Sequence, residues 1–152
     1  MYFTANGRVL PCCIAPFSQR GYENYTLGDV TQQTLPDTIL ADVAFSWAIV
    51  KHLTSNAIVV VKDGQTLGFG IGQTSRIASV DIALRQAGNK AHGAVLASDG
   101  FFPATDNIEA AAKAGISVIV QPGGSIKDPE VIEAADHHGL VMVLTHERCF
   151  KH

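Results

Sequence analysis

One stretch of the chain combines glycines, polar side chains and an arginine where a helix is predicted to begin. Gly72 to Ser75 leads into a helical pattern, with Gln73, Ser75 and Arg76 at its start. The apolar residues of this pattern are Ile77, Val80, Ile82 and Leu84. A helix start carries four N–H groups without intrahelical partners and the positive end of the helix dipole. We therefore predict a site for an anionic group here.

A β-hairpin is predicted to position this helix start. Ala57 to Val61 is a β-branched run, Asp63-Gly64 is a strong two-residue turn signal, and Thr66 to Ile71 is a second strand thinned by glycine. Because glycine has no side chain, we expect another element to approach the backbone of the second strand closely.

From residue 94 onward, strand and helix patterns alternate. The strands are Val95 to Ala97, Ser117 to Val120 and Leu140 to Leu144, and the helices are Asn107 to Ala114 and Pro129 to His138. Such units imply right-handed crossovers and parallel pairing. With the hairpin they predict an α/β fold: a five-stranded mixed sheet in a three-layer αβα arrangement, with helices on both faces.

Two loops follow the carboxyl ends of the predicted parallel strands, where ligands gather in such sheets. In Asp99 to Asp106, Phe101 and Phe102 are suited to stacking on a heteroaromatic ring, and Asp106 to hydrogen-bonding its edge or to capping the next helix and nothing more. Gln121 to Ser125 is either an anion-binding nest or a tight turn that needs glycine.

A further helix is predicted ahead of the hairpin. It opens at Pro36 and Asp37, with Asp37 as a good capping residue, and should cover one face of the sheet. Its apolar positions are Ile39, Leu40, Val43, Trp47 and Val50. Lys51 and His52 follow, where basic side chains offset the helix dipole, so we interpret this pair as structural.

Composition narrows the classes of function. The chain has 152 residues, 47% of them apolar, which suits one compact domain with a real core. With 11 basic against 14 acidic side chains it has no field for non-specific nucleic-acid binding. It shows neither a signal peptide nor an apolar run long enough to span a membrane, so we expect a cytoplasmic protein with small-molecule or protein partners.

Residues 1 to 34 differ from the rest, with prolines, glycines and no helical period. They are predicted to form an irregular segment with one strand-like run, Arg8 to Leu10, ahead of a domain at residues 35 to 152. The segment resembles part of the auxiliary iron–sulfur (SPASM-type) domain of radical-SAM enzymes, which would make Cys12 and Cys13 cluster ligands. A four-thiolate cluster needs more cysteines close by, and Cys149 lies in the other module. The alternative is a leftover segment with free or buried thiols.

Three motifs in order carry a second resemblance: SNAIVVVKDGQTLGFGIGQTSR, ASDGFFPATDNIEAAAKAGISVIVQPGGSIKD and the terminal HERCFKH. They resemble the C-terminal part of the AICAR transformylase domain of the bifunctional purine-biosynthesis enzyme (AICAR transformylase and IMP cyclohydrolase), over about Leu35 to His152. The resemblance implies a cytidine-deaminase-like fold. No metal is expected, because the deaminase zinc signature is missing.

The resemblance also implies roles for single residues. Asn56 and the last residue, His152, match catalytic positions of the family. Arg76, Phe101 and Arg148 match residues that hold the AICAR nucleotide. Ile77, Pro103, Asp106 and Asn107 match residues that contact the co-substrate, 10-formyltetrahydrofolate.

The chain departs from the family at two points. Ala104 and Thr105 replace an aromatic residue and an arginine, which would weaken folate stacking. The catalytic Lys-His motif is absent, because Lys51-His52 lies in a different context. The resemblance therefore implies a partial formyltransferase, inactive alone, that works as a homodimer or with a complementing half. The alternative is a non-enzymatic folded fragment from a gene fusion or rearrangement.

Overall fold

The computed structural model of the chain describes Tyr2–Phe3, Val9–Leu10 and residues 35–152. The prediction that Cys12 and Cys13 are cluster ligands concerns positions outside these residues. Two short strands, β1 (Tyr2–Phe3) and β2 (Val9–Leu10), pair antiparallel, in agreement with the strand predicted near Arg8. The remaining elements are α1 (Asp37–Val50), β3 (Ile58–Lys62), β4 (Gln65–Gly70), α2 (Arg76–Ala87), a 3-10 turn (Gly88–Ala91), β5 (Val95–Ser98), α3 (Asp106–Lys113), β6 (Val118–Gln121), α4 (Asp128–His137) and β7 (Val141–Leu144).

Strands β3 to β7 form one five-stranded sheet in the order β4-β3-β5-β6-β7. β3 pairs antiparallel with β4 and with β5, whereas β5, β6 and β7 are parallel. The predicted five-stranded mixed sheet is confirmed. Because β3 runs against β5, the start of β3 lies beside the carboxyl end of β5, and this edge of the sheet collects the polar loops.

Helices cover both faces of this sheet. Val59 and Val61 of β3 point towards α1, and Ile58 and Val60 point towards α2, because successive strand residues face opposite sides. One apolar cluster lies between the sheet and α1. The other lies between the sheet and the helices α2, α3 and α4. Coverage on both faces explains why β3, β5 and β6 are almost continuously apolar.

The β3–β4 turn forms at the predicted dipeptide. Asp63 and Gly64 have φ of 52° and 71°, the left-handed values that a tight two-residue hairpin turn requires. Their backbone N–H groups each donate to a carboxylate oxygen of Asp42 on α1, both at 2.8 Å. Asp42 is buried, and it fastens the far end of the hairpin to α1.

Helix α2 is the element that approaches the glycine-thinned strand. A side chain on Gly68 would clash with the carbonyl oxygen of Ala83, and one on Gly70 with that of Ser79. Both carbonyls belong to the α2 backbone, which therefore packs directly on β4. The predicted close approach is confirmed. It brings the start of α2 close to the start of β3 and to the start of the loop after β5.

Two predicted helix caps are wrong. Pro36, with no side-chain capping bond, occupies the cap of α1, and Asp37 is instead the first helical residue, where its charge still suits the dipole. Thr105 occupies the cap position of α3, so Asp106 also lies inside the first turn. In both cases the preceding residue already has the backbone position of the cap. Ser75 does cap α2, accepting from Ala78 N at 3.3 Å.

None of the helices in the described ranges is both long and apolar enough to cross a membrane.

Candidate functional site

Four segments meet at the carboxyl end of β5. They are the start of β3, the start of α2, the loop after β5 and the chain that follows β7. Hydrogen bonds join them: Asp99 N donates to Ala57 O at 3.2 Å, Cys149 N donates to Asp99 O at 3.0 Å, and Ser55 N donates to Lys151 O at 2.8 Å. The topology therefore brings three separated motifs of the sequence to one edge of the sheet.

Asp99 lies at the centre of this edge and is fully buried. One carboxylate oxygen accepts from Nη1 of Arg76 and, at 3.1 Å, from Ala57 N. The other accepts from the hydroxyl of Ser55. A buried carboxylate is stable only when its charge and lone pairs are satisfied in this way.

Arg76, predicted to hold an anion, is itself buried and ion-paired with Asp99. Its Nη1 also donates to Ala57 O at 3.2 Å. Its Nη2 lies beside Gly100 together with the Phe150 ring, so a side chain on Gly100 would clash with both. Nη1 is therefore occupied by two acceptors, and Nη2 is the amino group that lies next to the loop after β5.

Asn56, predicted as catalytic, lies between the hairpin and α2. Its backbone N and its Nδ2 both donate to Gln73 O, at 3.2 and 2.8 Å, and its carbonyl accepts from Ser79 Oγ at 2.8 Å. The side chain is half-buried. These bonds fix the orientation of the amide, so its oxygen has a defined direction.

Phe101 and Arg148, both predicted to bind substrate, contact each other. The Arg148 guanidinium carbon lies 4.9 Å from the centre of the Phe101 ring, in a cation–π arrangement. Arg148 Nη2 also donates to Gly124 O at 3.1 Å. Arg148 is exposed and Phe101 is half-buried.

His152, the other predicted catalytic residue, ends the chain at the same edge. It is exposed, and its ring centre lies 6.3 Å from that of Phe150. Lys151 anchors this end, because its N donates to Ser55 Oγ at 3.0 Å. The segment after β7 therefore crosses the edge of the sheet, with Lys151 beside Ser55 and the Phe150 ring beside Gly100.

The predicted folate positions divide into two places. Pro103, Asp106 and Asn107 share the loop and first turn before α3, whereas Ile77 lies on α2, which packs against α3. Asp106 accepts from Asn107 N at 2.8 Å and from Asn107 Nδ2 at 2.6 Å. Asn107 is buried, and its Oδ1 has no hydrogen-bond partner among the residues that the structure describes.

The glycine-rich loop after β6 binds its own carboxylate. Gly124 N and Ser125 N donate to Asp128 Oδ2 at 2.6 and 3.1 Å. An internal anion therefore occupies the nest, and the alternative of a tight turn that needs glycine is favoured, since Gly123 and Gly124 have positive φ.

Sequence reasoning missed the residues that hold the site together. Asp99 and Ser55 were not singled out, nor was Gln121, which is buried and accepts from Phe102 N at 3.2 Å. An acidic residue directly after a buried strand, at the carboxyl end of a parallel sheet, is a signal that would have pointed to Asp99.

Cys149 is half-buried within the segment that follows β7, next to Asp99 O. Burial raises the pKa of its thiol, and the negative charge of Glu147 adds to the rise.

Comparison with known proteins identifies the relatives of this chain. The model of the AICARFT/IMPCHase bienzyme family matches residues 18–86. The chain is 61% identical over 113 residues to the bifunctional purine biosynthesis protein PurH of Desulfitobacterium hafniense (strain DSM 10664 / DCB-2), covering 74% of this chain and 22% of that protein. It is 60% identical over 123 residues to PurH of Listeria monocytogenes serotype 4b (strain F2365), covering 81% of this chain and 24% of that protein.

These matches confirm the resemblance predicted from the three motifs: the chain is a segment of the AICARFT/IMPCHase bienzyme family. It spans about a quarter of the length of the curated relatives it matches. The family match begins at residue 18, ahead of the predicted boundary at residue 35. The comparisons do not support the radical-SAM resemblance of residues 1 to 34.

Similarity to solved structures is weaker. RibD of Acinetobacter baumannii (form 2) superposes with a TM-score of 0.47 and 20% identity, over 70% of this chain and 34% of that chain. A diaminohydroxyphosphoribosylaminopyrimidine deaminase/5-amino-6-(5-phosphoribosylamino)uracil reductase of Thermotoga maritima gives 0.43 and 18%, over 72% and 35%.

Proposed function

We propose that the chain forms part of an AICAR transformylase site, which transfers a formyl group from 10-formyltetrahydrofolate to the AICAR nucleotide in purine biosynthesis. The observation that supports this most directly is the meeting of Asn56, Arg76, Phe101 and the C-terminal segment at one edge of the sheet. These residues come from three motifs that are far apart in the sequence.

The nucleotide would bind through Arg76, Phe101 and Arg148. Nη2 of Arg76 lies beside Gly100 in the loop after β5, and Arg148 is an exposed cation beside the Phe101 ring. An arginine suits a phosphate oxygen, and an aromatic ring suits a flat heterocycle. Arg148 already stacks on the ring, so it would move aside or share the ligand with it.

Asn56 and His152 would act on the reacting atoms. In formyl transfer the AICAR amine attacks the formyl carbon, the bond from that carbon to the folate nitrogen breaks, and a proton passes from the amine to the folate nitrogen. The oriented amide of Asn56 would align the nucleotide by hydrogen bonding, and His152 would take part in moving the proton.

The folate would contact Ile77, Pro103, Asp106 and Asn107. Asn107 Oδ1 is a buried acceptor without a partner among the described residues, and the carboxylate of Asp106 is exposed. Both are acceptors suited to the N–H groups of a pterin ring. Ala104 and Thr105 offer neither stacking nor charge, so this wall would hold folate weakly.

The site would be incomplete in the isolated chain. The catalytic Lys-His motif expected from the resemblance to the family is absent from the sequence. Because catalytic groups that act together are strongly non-additive, the loss of this pair should remove most of the activity. The proposal therefore includes a partner, either a second copy in a homodimer or a complementing transformylase half. It also includes a cytoplasmic location and a three-layer, cytidine-deaminase-like fold.

Calorimetric titration of the chain with the AICAR nucleotide tests the proposal. We expect weak binding, no tighter than about the high-micromolar range, since few contacts are present. Arg148→Ala should weaken it further. Arg85→Ala is the matched control, because Arg85 is an exposed arginine of α2 outside the site. Absence of binding, or equal losses in both variants, would instead favour a non-enzymatic folded fragment.

A further inference from the structure

Asp99 carries a buried charge that the proposed chemistry does not use directly. Its side chain has no exposed surface, and the side chain of Arg76 is 5% exposed. Arg76 is the cation that neutralises Asp99 within residues 35–152. A buried pair of this kind is costly to desolvate, so its presence at the edge of a binding region calls for a reason other than stability.

The hydrogen bonds around the pair are asymmetric. Nη1 of Arg76 donates both to Asp99 Oδ1 and to Ala57 O. Asp99 Oδ1 also accepts from Ala57 N, and its Oδ2 accepts from Ser55 Oγ, so the carboxylate is itself fixed at three points. Because the guanidinium is planar and rigid, fixing Nη1 fixes the direction of Nη2.

From this geometry we infer that Asp99 is a positioning residue, which holds Nη2 of Arg76 in a fixed direction beside Gly100 and Phe150. The inference rests on the proposed function only for the identity of the ligand. The Arg76–Asp99 pair has little net charge, so Arg76 attracts an anion mainly through the directed N–H groups of Nη2. An arginine usually grips a phosphate with two parallel hydrogen bonds. Here Nη1 is occupied, and the contact with the ligand is made from the Nη2 side.

This role predicts a specific effect of removing the charge of Asp99 while keeping its shape. Asp99→Asn retains an acceptor for Nη1 but holds it less strongly, because a neutral acceptor makes a weaker hydrogen bond than a carboxylate. The guanidinium then rotates more freely. Asp42→Asn is the matched control: Asp42 is also a buried carboxylate that accepts from two backbone N–H groups, but it lies at the far end of the hairpin and forms no salt bridge with any residue of the range 35–152.

Two measurements separate positioning from a structural role. The first is ¹⁵N NMR of arginine side chains in the full chain, with Arg76 assigned through Arg76→Lys. Restricted rotation should give resolved Nη signals for Arg76 in the parent protein and in Asp42→Asn, and averaged signals in Asp99→Asn. The second is the affinity for the AICAR nucleotide, which Asp99→Asn should lower about tenfold, the loss expected when one charge-assisted hydrogen bond is misaligned.

The outcomes are distinguishable. Resolved Arg76 signals that persist in Asp99→Asn would overturn the inference, as would averaging to the same extent in Asp42→Asn. If the parent protein binds no nucleotide, the proposed function fails, but the NMR comparison still decides whether Asp99 fixes Arg76. Averaged signals with unchanged affinity would show that the direction of Nη2 does not matter for this ligand, and would also overturn the inference.

Discussion

The two arginines assigned to nucleotide binding lie in opposite environments. Arg76 is buried at the start of α2, where it pairs with Asp99 and donates to the backbone carbonyl of Ala57. Arg148 is exposed on the segment after β7, where it rests on the Phe101 ring and on one carbonyl, Gly124 O. The buried half of the site is fixed by the fold, whereas the exposed half is held by contacts weak enough for a ligand to replace.

This difference shows that residue type and motif do not by themselves determine whether a side chain contributes to the fold, to the site or to both. Arg76 cannot leave its place without stranding a buried carboxylate, so it is part of the fold as well as of the site. Arg148 is exposed, so its movement leaves no buried charge without a partner. We therefore expect ligand-induced change in the Phe101–Arg148 half and little change around Asp99.

The largest expected effect is on stability. Arg76→Ala leaves Asp99 buried without its cation and should lower the free energy of unfolding by about 3–5 kcal/mol. Arg148→Ala removes an exposed cation–π contact and should cost no more than about 1 kcal/mol. Urea denaturation followed by circular dichroism gives both values. Similar losses in the two variants would contradict the division into a buried and an exposed half.

A second prediction concerns the packing that places the buried half. Gly70→Ala puts a methyl group against the backbone carbonyl of Ser79, which cannot move away as a flexible side chain could. We expect a loss of about 1–3 kcal/mol from this overpacking. Gly64→Asn, in an open turn whose left-handed backbone asparagine tolerates, is the control and should cost much less. A Gly70→Ala protein as stable as the parent would mean that α2 does not pack directly on β4.

The smallest effect concerns the thiol beside the buried half. Because burial raises the pKa of Cys149, the fraction of thiolate at neutral pH should be lower in the folded chain than in urea. Alkylation of Cys149 by iodoacetamide, followed by mass spectrometry of its peptide, should be slower in the folded chain. The folded state favours the protonated thiol, so this contribution to stability is complete below the unfolded pKa and is lost as the pH rises through the folded one. Faster alkylation of the folded chain would contradict the raised pKa.

Most of the fold could be predicted from the sequence, because the fold rests on local signals. The Asp63-Gly64 turn, the glycines of β4 and the alternation of β5 to β7 each act within a few residues. Sequence reasoning also placed the loops after β5 and β6 at one edge, since the carboxyl ends of parallel strands share that edge.

The side-chain contacts within the site could not be predicted from the sequence. The bond between Arg76 and Asp99 and the stacking of Arg148 on Phe101 join distant segments, so no local sequence pattern predicts them. The other differences between prediction and structure arose because a nearby residue took the predicted role. Asp128 fills the backbone nest that precedes it, and Thr105 occupies the cap position expected for Asp106.

We propose that this chain supplies nucleotide and folate contacts of a transformylase while lacking the Lys-His pair of the family. The most direct test is formyl transfer from 10-formyltetrahydrofolate to AICAR, measured with the chain alone and after adding the upstream half of a related PurH that carries the motif. We predict no measurable turnover alone, and turnover in the mixture that is lost on Asn56→Ala or on removal of His152. Formyl transfer by the chain alone, or turnover in the mixture that is indifferent to both changes, would contradict the account.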